Sequence, residues 1–170
     1  MISMIPTNIA EDAVKSLYEA AFPKEERRPW EQELQLIATG KIRLLTLAKE
    51  AAFAGFVCYW QLPAFSFIEH FAIHPDTRGG GAGTQVMQLL EAQLGTIVLE
   101  VEPPLTEQAI RRIKFYERLG YQTFSQSYQQ PPYYPDYPPL ELRLMQKGMP
   151  HTATAFAQIK DQLYKSVYNK

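Results

Sequence analysis

The spacing of apolar residues in the first half of the chain predicts two helices followed by three strands. Residues 10–22 and 29–39 carry apolar side chains at helical intervals, and a proline or a glycine follows each segment. Three apolar runs come next, at 41–50, 51–62 and 64–74. Because the breaks between these runs are short, we expect the strands to pair as an antiparallel meander.

The second half of the chain alternates helices with strands. A glycine-rich segment leads into a predicted helix at 82–94, and a crossover through this helix implies parallel pairing of the next strand, 96–101. Thr106 is suited as the N-cap of a further helix and Gly120 as its stop. The remaining predicted elements are strands at 121–128 and 139–148 and an amphipathic helix at 151–168. The predicted fold class is α/β, with a mixed, mostly antiparallel central sheet flanked by helices and an additional C-terminal helix.

The composition of the chain argues against nucleic acid and membranes as its binding partners. The length of 170 residues suits a single domain over 1–170, and the net charge of −1 argues against nucleic acid as a partner. The sequence shows no signal-peptide pattern and no apolar run near the roughly 20 residues that span a bilayer. We therefore expect no membrane partner and a cytoplasmic location. Cys58, the single cysteine, lies in an apolar run and is expected to be a buried core residue rather than a reactive thiol.

The segment between the third strand and the next helix is the most informative part of the sequence. Arg78 is followed by three consecutive glycines, an alanine and a fourth glycine, which let a ligand approach the backbone closely. Backbone N–H groups at a helix start, together with the helix dipole, favour an anion such as a pyrophosphate. The Gly-Lys-Ser/Thr ending of nucleoside-triphosphate loops is absent, and a dinucleotide-binding loop would follow the first strand of a parallel sheet.

These segments resemble a known family. The stretch IEHFAIHPDTRGGGAGTQVMQLLE is similar to the signature of the GNAT superfamily of acetyl-CoA-dependent acyltransferases, with Arg78, Gly81 and Gly83 in its recurrent loop positions. The later stretch KFYERLGYQ is similar to the second recurrent segment of that family. The order of elements also resembles the GNAT fold, so we expect a GNAT-like core at about 8–147 and an added helix at 151–168.

The resemblance implies that acetyl-CoA binds as a co-substrate. Strand residues Phe71, Ala72 and Ile73 are expected to pair with its pantetheine arm, because in the family this strand carries a bulge and separates from its neighbour. Backbone amides of the loop are expected to hold its pyrophosphate, and the loop residues are Arg78, Gly79, Gly80, Gly81, Ala82, Gly83 and Thr84. No metal is expected, since the three histidines of the chain show no metal-ligand spacing.

Amide formation from a thioester needs a base for the amine proton and an acid for the leaving thiolate. Glu69 is the candidate base, because a carboxylate in an apolar strand is costly to bury. An outward-facing carboxylate is the alternative. Alternation along the strand predicts that His70, the alternative base, points to the opposite face. Tyr116 is the candidate acid, since the resemblance implies a tyrosine near the CoA sulfur, and a packing aromatic is the alternative.

Two regions are candidates for the acceptor site. The segment QSYQQPPYYPDYPP is expected to line the acceptor pocket through Tyr133, Tyr134 or Tyr137. A stiff hairpin loop and a proline-rich ligand for an aromatic groove are the alternatives. Glu26 lies between the first two helices, a region that often covers the acceptor in similar proteins. The alternative is a solvated charged turn over 25–28.

The predicted function is acetyl transfer from acetyl-CoA to a primary amine of a small molecule or a peptide, by direct attack in a ternary complex. The first alternative is a non-catalytic acyl-CoA-binding or sensing module. The second is a proline-rich interaction protein. The sequence leaves the identity of the amine open. It also leaves open whether the C-terminal helix packs on its own chain or forms a homodimer.

Overall fold

Eight strands and five helices form the secondary structure of the chain in the computed structural model, which describes all 170 residues. These elements belong to two compact units, Met1–Gly95 and Thr96–Lys170. Both units combine helices with strands, so the predicted α/β class is confirmed. The expectation of one domain over 1–170 stays a prediction.

The first unit contains four strands that pair antiparallel. Its elements are β1 (Ile2–Thr7), α1 (Asp12–Ala21), α2 (Trp30–Ala38), β2 (Arg43–Lys49), β3 (Ala52–Gln61), β4 (Ser66–Ile73) and α3 (Ala82–Leu94). The strands follow the order β1-β2-β3-β4, and each neighbouring pair is antiparallel. The meander predicted for three consecutive strands is therefore confirmed.

Strand β1 is an element that the sequence-based expectations lacked. Its six residues pair with β2, and only Ile2 among them is buried. The strand contains Pro6, which cannot donate a hydrogen bond to a neighbouring strand and is tolerated mainly at sheet edges. A short strand with one buried residue gives too little apolar periodicity to be separated from a loop.

A β-bulge interrupts the pairing of β3 with β4 at Glu69. Cys58 pairs with His70 and Tyr59 pairs with Ile68, so Glu69 is the extra residue on β4. A bulge bends its strand and changes the direction of the side chains beside it. The strand that carries the predicted site thus contains a bulge at the candidate base itself.

Gly55 allows β3 and β4 to approach closely beyond this bulge. It pairs with Ile73 at a φ angle of 147°, and a Cβ atom there would lie 2.2 Å from the carbonyl oxygen of Ala72. A residue with a side chain would collide with that backbone oxygen. The position of Ala72 and Ile73 relative to β3 therefore depends on this glycine.

Helices α1 and α3 bury the apolar faces that the sequence pattern indicated. Helix α1 buries Val14, Leu17 and Tyr18 and contacts β3 and β4. Helix α3 buries Val86 and Leu90 and contacts β1 and β4. Full burial of one large apolar side chain contributes roughly 1.5–3 kcal/mol, so these faces hold the helices against the strands.

The second unit is organised around its last strand. Its elements are β5 (Ile97–Val101), α4 (Glu107–Arg118), β6 (Gln122–Thr123), β7 (Tyr128–Gln130), β8 (Leu140–Lys147) and α5 (Ala153–Ser166). Strand β8 pairs antiparallel with β5, β6 and β7. The mostly antiparallel character predicted for the fold is therefore present in this unit as well.

The single strand predicted at 121–128 is wrong, because the segment forms two separate short strands. β6 pairs with the C-terminal part of β8, while β7 pairs with its N-terminal part through Leu140 to Leu142. Polar residues 125–127 lie between the two strands and have little tendency to continue a ladder.

The helices of the second unit agree with the sequence pattern. Thr106 caps α4 by accepting a hydrogen bond from Ala109 N–H, as predicted. The predicted tail helix is α5, which begins after the N-cap Thr152 and buries Phe156 and Leu163 among other apolar residues. None of the helices combines the length with the apolar composition that spanning a bilayer requires.

Candidate active site

The glycine-rich loop connects β4 to α3, as the sequence predicted. Residues Pro75–Thr77 form one 3₁₀ turn, and Gly79 and Gly81 follow with φ angles of 88° and 76°. These left-handed angles favour glycine over any residue with a Cβ atom. Gly81 is also the N-cap residue of α3, and no side chain caps this helix start. The first N–H groups of α3 are thus available to an external acceptor.

Gly80 needs a different explanation from its two neighbours. Its φ angle lies outside the left-handed range, and a Cβ atom there would meet no other part of the chain within 4 Å. Neither backbone strain nor crowding within the protein therefore requires glycine at this position. A ligand that approaches the backbone closely would require it, as a pyrophosphate bound by N–H groups does.

The loop is tied to the end of β4 by Arg78, whose Nε donates a hydrogen bond to the carbonyl oxygen of Ile73 at 3.1 Å. On β4 itself Phe71 and Ile73 are half-buried, whereas Ala72 is buried. The structure therefore brings the predicted strand residues and the predicted loop residues together in the first unit.

Glu69, the candidate base, is not an outward-facing carboxylate. Its side chain is 1% exposed, and its Oε1 accepts hydrogen bonds from Arg28 Nη1 at 2.6 Å and from Trp60 Nε1 at 2.8 Å. The same Arg28 nitrogen lies 3.2 Å from Oε1 of Glu33. A buried carboxylate persists in a fold when it is both paired and hydrogen-bonded, and Arg28 provides both for Glu69.

The bulge corrects the expected orientation of His70. Strand alternation predicted opposite faces for Glu69 and His70, but side-chain ligand atoms of Glu33, Glu69 and His70 lie within 4.8 Å of one another. The extra residue breaks the two-residue period of the strand, so the two neighbours share a face. His70 Nε2 lies 2.9 Å from the carbonyl oxygen of Glu26.

Burial raises the pKa values of several groups around Glu33, Glu69 and His70. Desolvation raises the pKa of Glu33, although nearby His70 opposes the shift. Burial also raises the pKa of the Cys58 thiol, which therefore stays protonated and unreactive, as predicted. Burial raises the pKa of Tyr18 as well. Its protonated hydroxyl accepts from the Arg28 N–H at 2.8 Å and donates to the Arg28 carbonyl at 3.1 Å.

The charged turn between α1 and α2 is more than a solvated surface. Arg28 is 5% exposed and is held at both its backbone and its guanidinium. Arg27 Nε donates to the carbonyl oxygen of Phe22 at 2.9 Å. Glu26, the predicted acceptor contact, is half-buried, and its carbonyl oxygen meets His70. The turn is therefore anchored to β4.

The group of Glu33, Glu69 and His70 has residue types that bind metal ions. The guanidinium of Arg28, however, bridges the two carboxylates and occupies the cationic position between them. The cluster therefore fits a buried ion-pair network better than a metal site.

Tyr116, the candidate acid, lies on α4 in the second unit. Its ring is near those of Phe115 and Tyr121, with centroids 5.0 and 5.6 Å away. Burial raises its pKa, although Arg112 opposes the shift. The hydroxyl therefore keeps its proton, which a general acid must do before it acts. Its catalytic role stays a prediction, because its packing also fits a structural aromatic.

A second carboxylate network, around the half-buried Glu100, lies in the second unit, where the sequence predicted no site. Glu100 on β5 accepts hydrogen bonds from the Tyr128 hydroxyl at Oε2 and from Gln130 Nε2 at Oε1, the latter at 2.9 Å. The Tyr168 hydroxyl lies 2.8 and 2.9 Å from the two carboxylate oxygens. Burial and the charge of Glu100 raise the pKa of Tyr128, so its hydroxyl stays a donor.

The predicted acceptor loop is connected to Glu100 through Tyr168. The ring of Tyr133 lies 5.7 Å from that of Tyr168, between centroids, while Tyr134 lies 5.0 Å from Tyr137. The three loop tyrosines are half-buried. Their packing favours a structured loop over a fully exposed ligand for another domain.

Known proteins share both the sequence pattern and the fold. Residues 11–121 match the sequence profile described as the Acetyltransferase (GNAT) family. A structure from Bacteroides thetaiotaomicron, described as an acetyltransferase of the GNAT family, shares 33% identity at a TM-score of 0.88. That match covers 93% of this chain and 91% of the other. No curated protein matches the sequence.

More distant structures share the fold. Arabidopsis thaliana Naa50, in complex with the bisubstrate analogue CoA-Ac-MVNAL, shares 16% identity at a TM-score of 0.60 over 87% of this chain and 99% of that chain. An aminoglycoside 6′-N-acetyltransferase complexed with coenzyme A shares 16% identity at a TM-score of 0.63, over 89% and 99%. The fold expected from the resemblance is thus confirmed, with α5 as its additional C-terminal helix.

Proposed function

Because the chain belongs to the GNAT family of acetyltransferases, we propose that it transfers an acetyl group from acetyl-CoA to a primary amine of a small molecule or a peptide. The observation that carries this proposal is the loop before α3. Gly80 leaves open space there beside N–H groups that no side chain caps. Matching folds bound to coenzyme A or to a CoA-containing analogue support the same co-substrate.

In this proposal the first unit binds the acetyl donor. Backbone N–H groups of Arg78 to Thr84 hold the CoA pyrophosphate, helped by the dipole of α3. The backbone of Phe71, Ala72 and Ile73 pairs with the amides of the pantetheine arm, in the manner of an added strand. No covalent acyl-enzyme is invoked, because the Cys58 thiol is buried and protonated.

The chemical step is direct attack of the amine nitrogen on the thioester carbonyl carbon. The nitrogen–carbon bond forms, the carbon–sulfur bond breaks, and the proton lost by the amine passes to Glu69 directly or through water. Tyr116 gives its hydroxyl proton to the departing thiolate. Arg28 and Trp60 hold Oε1 of Glu69 and so limit the carboxylate to one orientation.

A turnover assay tests the enzyme assignment against a non-catalytic acyl-CoA-binding module. Free thiol released from acetyl-CoA is measured with a panel of amines, and coenzyme A affinity is measured by calorimetry. We expect Glu69→Gln and Tyr116→Phe each to lower kcat about 100-fold while leaving the CoA affinity within about twofold.

The matched control is Glu19→Gln, because Glu19 is a surface carboxylate that pairs with Lys15. This control is expected to keep wild-type turnover. Binding of CoA without amine-dependent thiol release would instead support the sensing module. Absence of CoA binding would overturn both functions.

A pair of glycine variants tests the loop itself. Gly80→Ala is expected to keep wild-type stability, since its Cβ meets no atom, but to weaken CoA binding at least about tenfold. Gly40→Ala places a Cβ at a left-handed φ angle of 78° and should cost about 1–2 kcal/mol of stability without changing CoA affinity. Equal CoA affinity for Gly80→Ala and wild type would remove the loop from the binding site.

A further inference from the structure

The first unit contains an open cavity of about 710 Å³, called here the Tyr59 cavity, that the proposed acetyl transfer does not use. Neither the glycine-rich loop nor Glu69 lines it. Its walls come from the end of β1, the segment after α2, the start of β2, Tyr59 on β3 and Gln93 near the end of α3. Pockets for small molecules typically measure about 300–1,000 Å³, so the volume suits such a ligand.

Apolar side chains form the floor of the Tyr59 cavity. Ile37, Ile42 and Leu44 line it, and each of them is at most 2% exposed. Side chains packed this closely keep their positions when a ligand arrives. An apolar part of the ligand can therefore rest on a preformed surface.

Tyr59 brings a hydroxyl to this cavity that the chain itself does not use. The residue is 5% exposed, and its hydroxyl forms no hydrogen bond within the chain. That hydroxyl is not sealed in the core, because it keeps contact with the cavity that the residue lines. A buried ring thus holds in place a hydrogen-bond donor that a molecule in the cavity can reach.

Arg43 supplies a positive charge beside this hydroxyl. It is the direct cross-strand partner of Tyr59, so both side chains lie on the same face of the sheet, with Cβ atoms about 4.5–5.5 Å apart. Arg43 forms no ion pair within the chain, and the walls of the cavity contain no acidic residue. A guanidinium and a hydroxyl at neighbouring positions together suit an anion.

The helix ends beside the cavity limit the charge of that anion. At the end of α2 the carbonyl oxygens of Gln35, Leu36 and Ile37 already accept N–H groups from residues 39–42. The C-terminal end of α3, near Gln93, adds a weak negative potential. One guanidinium therefore balances a single negative charge, and a dianion such as phosphate exceeds what the walls neutralise.

We propose that the Tyr59 cavity binds a small organic carboxylate. The carboxylate pairs with the guanidinium of Arg43 and accepts a hydrogen bond from the Tyr59 hydroxyl, while the apolar remainder lies on the floor of the cavity. This site is additional to the acetyl-CoA and amine sites of the proposed function, and it involves no chemical step.

The test compares benzoate, benzamide and benzamidine as probes. These planar molecules have nearly the same shape, but near pH 7 the first is negative, the second neutral and the third positive. Binding to the full chain is measured by calorimetry without CoA. We expect benzoate to bind at least about tenfold more tightly than benzamide, and benzamidine to show no binding.

Variants of the two polar residues locate the binding. Arg43→Met should weaken benzoate binding at least about tenfold, and Tyr59→Phe, which keeps the ring, at least about threefold. Lys41→Met is the matched control, because Lys41 is an exposed cation near Arg43 in the sequence that does not line the cavity. This control is expected to keep the wild-type affinity. Thermal unfolding of each variant checks the fold.

Three results would overturn the carboxylate site. The first is equal affinity for benzoate and benzamide, or no binding of benzoate up to about 10 mM. The second is a loss in Lys41→Met as large as in Arg43→Met, which would indicate attraction by surface charge in general. The third is inorganic phosphate binding more tightly than benzoate. None of these measurements needs turnover, so they test the cavity separately from the proposed acetyl transfer.

Discussion

Glu69 and Glu100 are both carboxylates in apolar strands, but different kinds of donor hold them. Glu69 receives the guanidinium of Arg28 and the indole N–H of Trp60. Glu100 receives two tyrosine hydroxyls and the amide of Gln130. The positive charge of a guanidinium balances the negative charge of a carboxylate. Hydroxyls and amides are uncharged, so they stabilise that negative charge without neutralising it.

This difference indicates two separate uses of a carboxylate in an apolar strand. The Arg28 network, which pairs Arg28 with Glu33 and Glu69, joins the turn after α1 to β4. It therefore fixes the position of the turn and orients the Glu69 side chain. The Glu100 cluster, formed by Glu100, Tyr128, Gln130 and Tyr168, joins β5, β7 and the segment after α5 through hydrogen bonds from neutral groups. The two networks should therefore respond differently when a donor is removed, and stability measurements can establish this.

The largest effect is expected when the cation is removed. Arg28→Met leaves Glu33 and Glu69 buried without their guanidinium, and such a change typically costs about 3–5 kcal/mol of folding free energy. The free energy of unfolding is measured by urea denaturation. The double variant Arg28→Met with Glu33→Gln should recover part of the loss, because it removes one of the stranded charges.

Arg111→Met is the matched control, since Arg111 is exposed on α4 and its loss should change stability by less than about 0.5 kcal/mol. An equally small loss for Arg28→Met would mean that water reaches the network and that its charges are not buried as the structure has them.

A smaller effect is expected when a neutral donor is removed from the Glu100 cluster. Tyr128→Phe deletes a hydroxyl that donates to a carboxylate and should cost about 1.5–3 kcal/mol. Tyr164→Phe deletes a hydroxyl that donates to a neutral carbonyl and should cost about 0.5–1.5 kcal/mol. If Tyr128→Phe proved as damaging as Arg28→Met, the distinction between the two carboxylates would lose its energetic basis.

The smallest effect is a change in the pH dependence of stability. Burial raises the pKa of Glu33 above its ordinary value of 4.5, so the folded chain holds this proton more tightly than the unfolded chain. The resulting stabilisation is complete below the unfolded pKa and is lost as the pH rises through the folded pKa. Glu33→Gln removes the titration.

Wild type should therefore lose stability relative to Glu33→Gln as the pH rises above about 4.5, as urea titrations at several pH values can measure. Glu31→Gln, an exposed neighbour on α2, should follow the wild-type profile. Parallel profiles for wild type and Glu33→Gln would show that Glu33 has the same pKa in both states.

The sequence predicted the helices and the long strands because their apolar periods are regular. Residues 82–94 were predicted as a helix and form α3 within those bounds, and Thr106 acts as the predicted N-cap. The pattern did not reveal β1, where one buried residue carries the apolar signal, or the division of 121–128 into two strands. Short pairings depend on a distant partner strand, which local periodicity does not report.

The sequence predicted the part of the candidate site that is formed by consecutive residues. The loop from Arg78 to Thr84 is recognisable from its glycines alone, whereas the hydrogen-bond partners of Glu69 lie far from it in the sequence. Strand alternation predicted the wrong face for His70, because the residue types of β4 give no sign that its pairing contains an extra residue. Glu100 carried a usable signal, a carboxylate within the apolar run TIVLEV, which is the pattern that singled out Glu69.

The pairing of β8 with three earlier strands has a consequence for synthesis on the ribosome. Strands β2, β3 and β4 each pair with the strand that precedes them, so their ladders can close as the chain emerges. Strands β6 and β7, and the edge of β5 that pairs with β8, stay unpaired until residues 140–147 have been synthesised. Before these residues emerge, the strands expose unpaired edges, so nascent chains stalled before residue 140 should depend on chaperones more than those stalled after β8 has emerged.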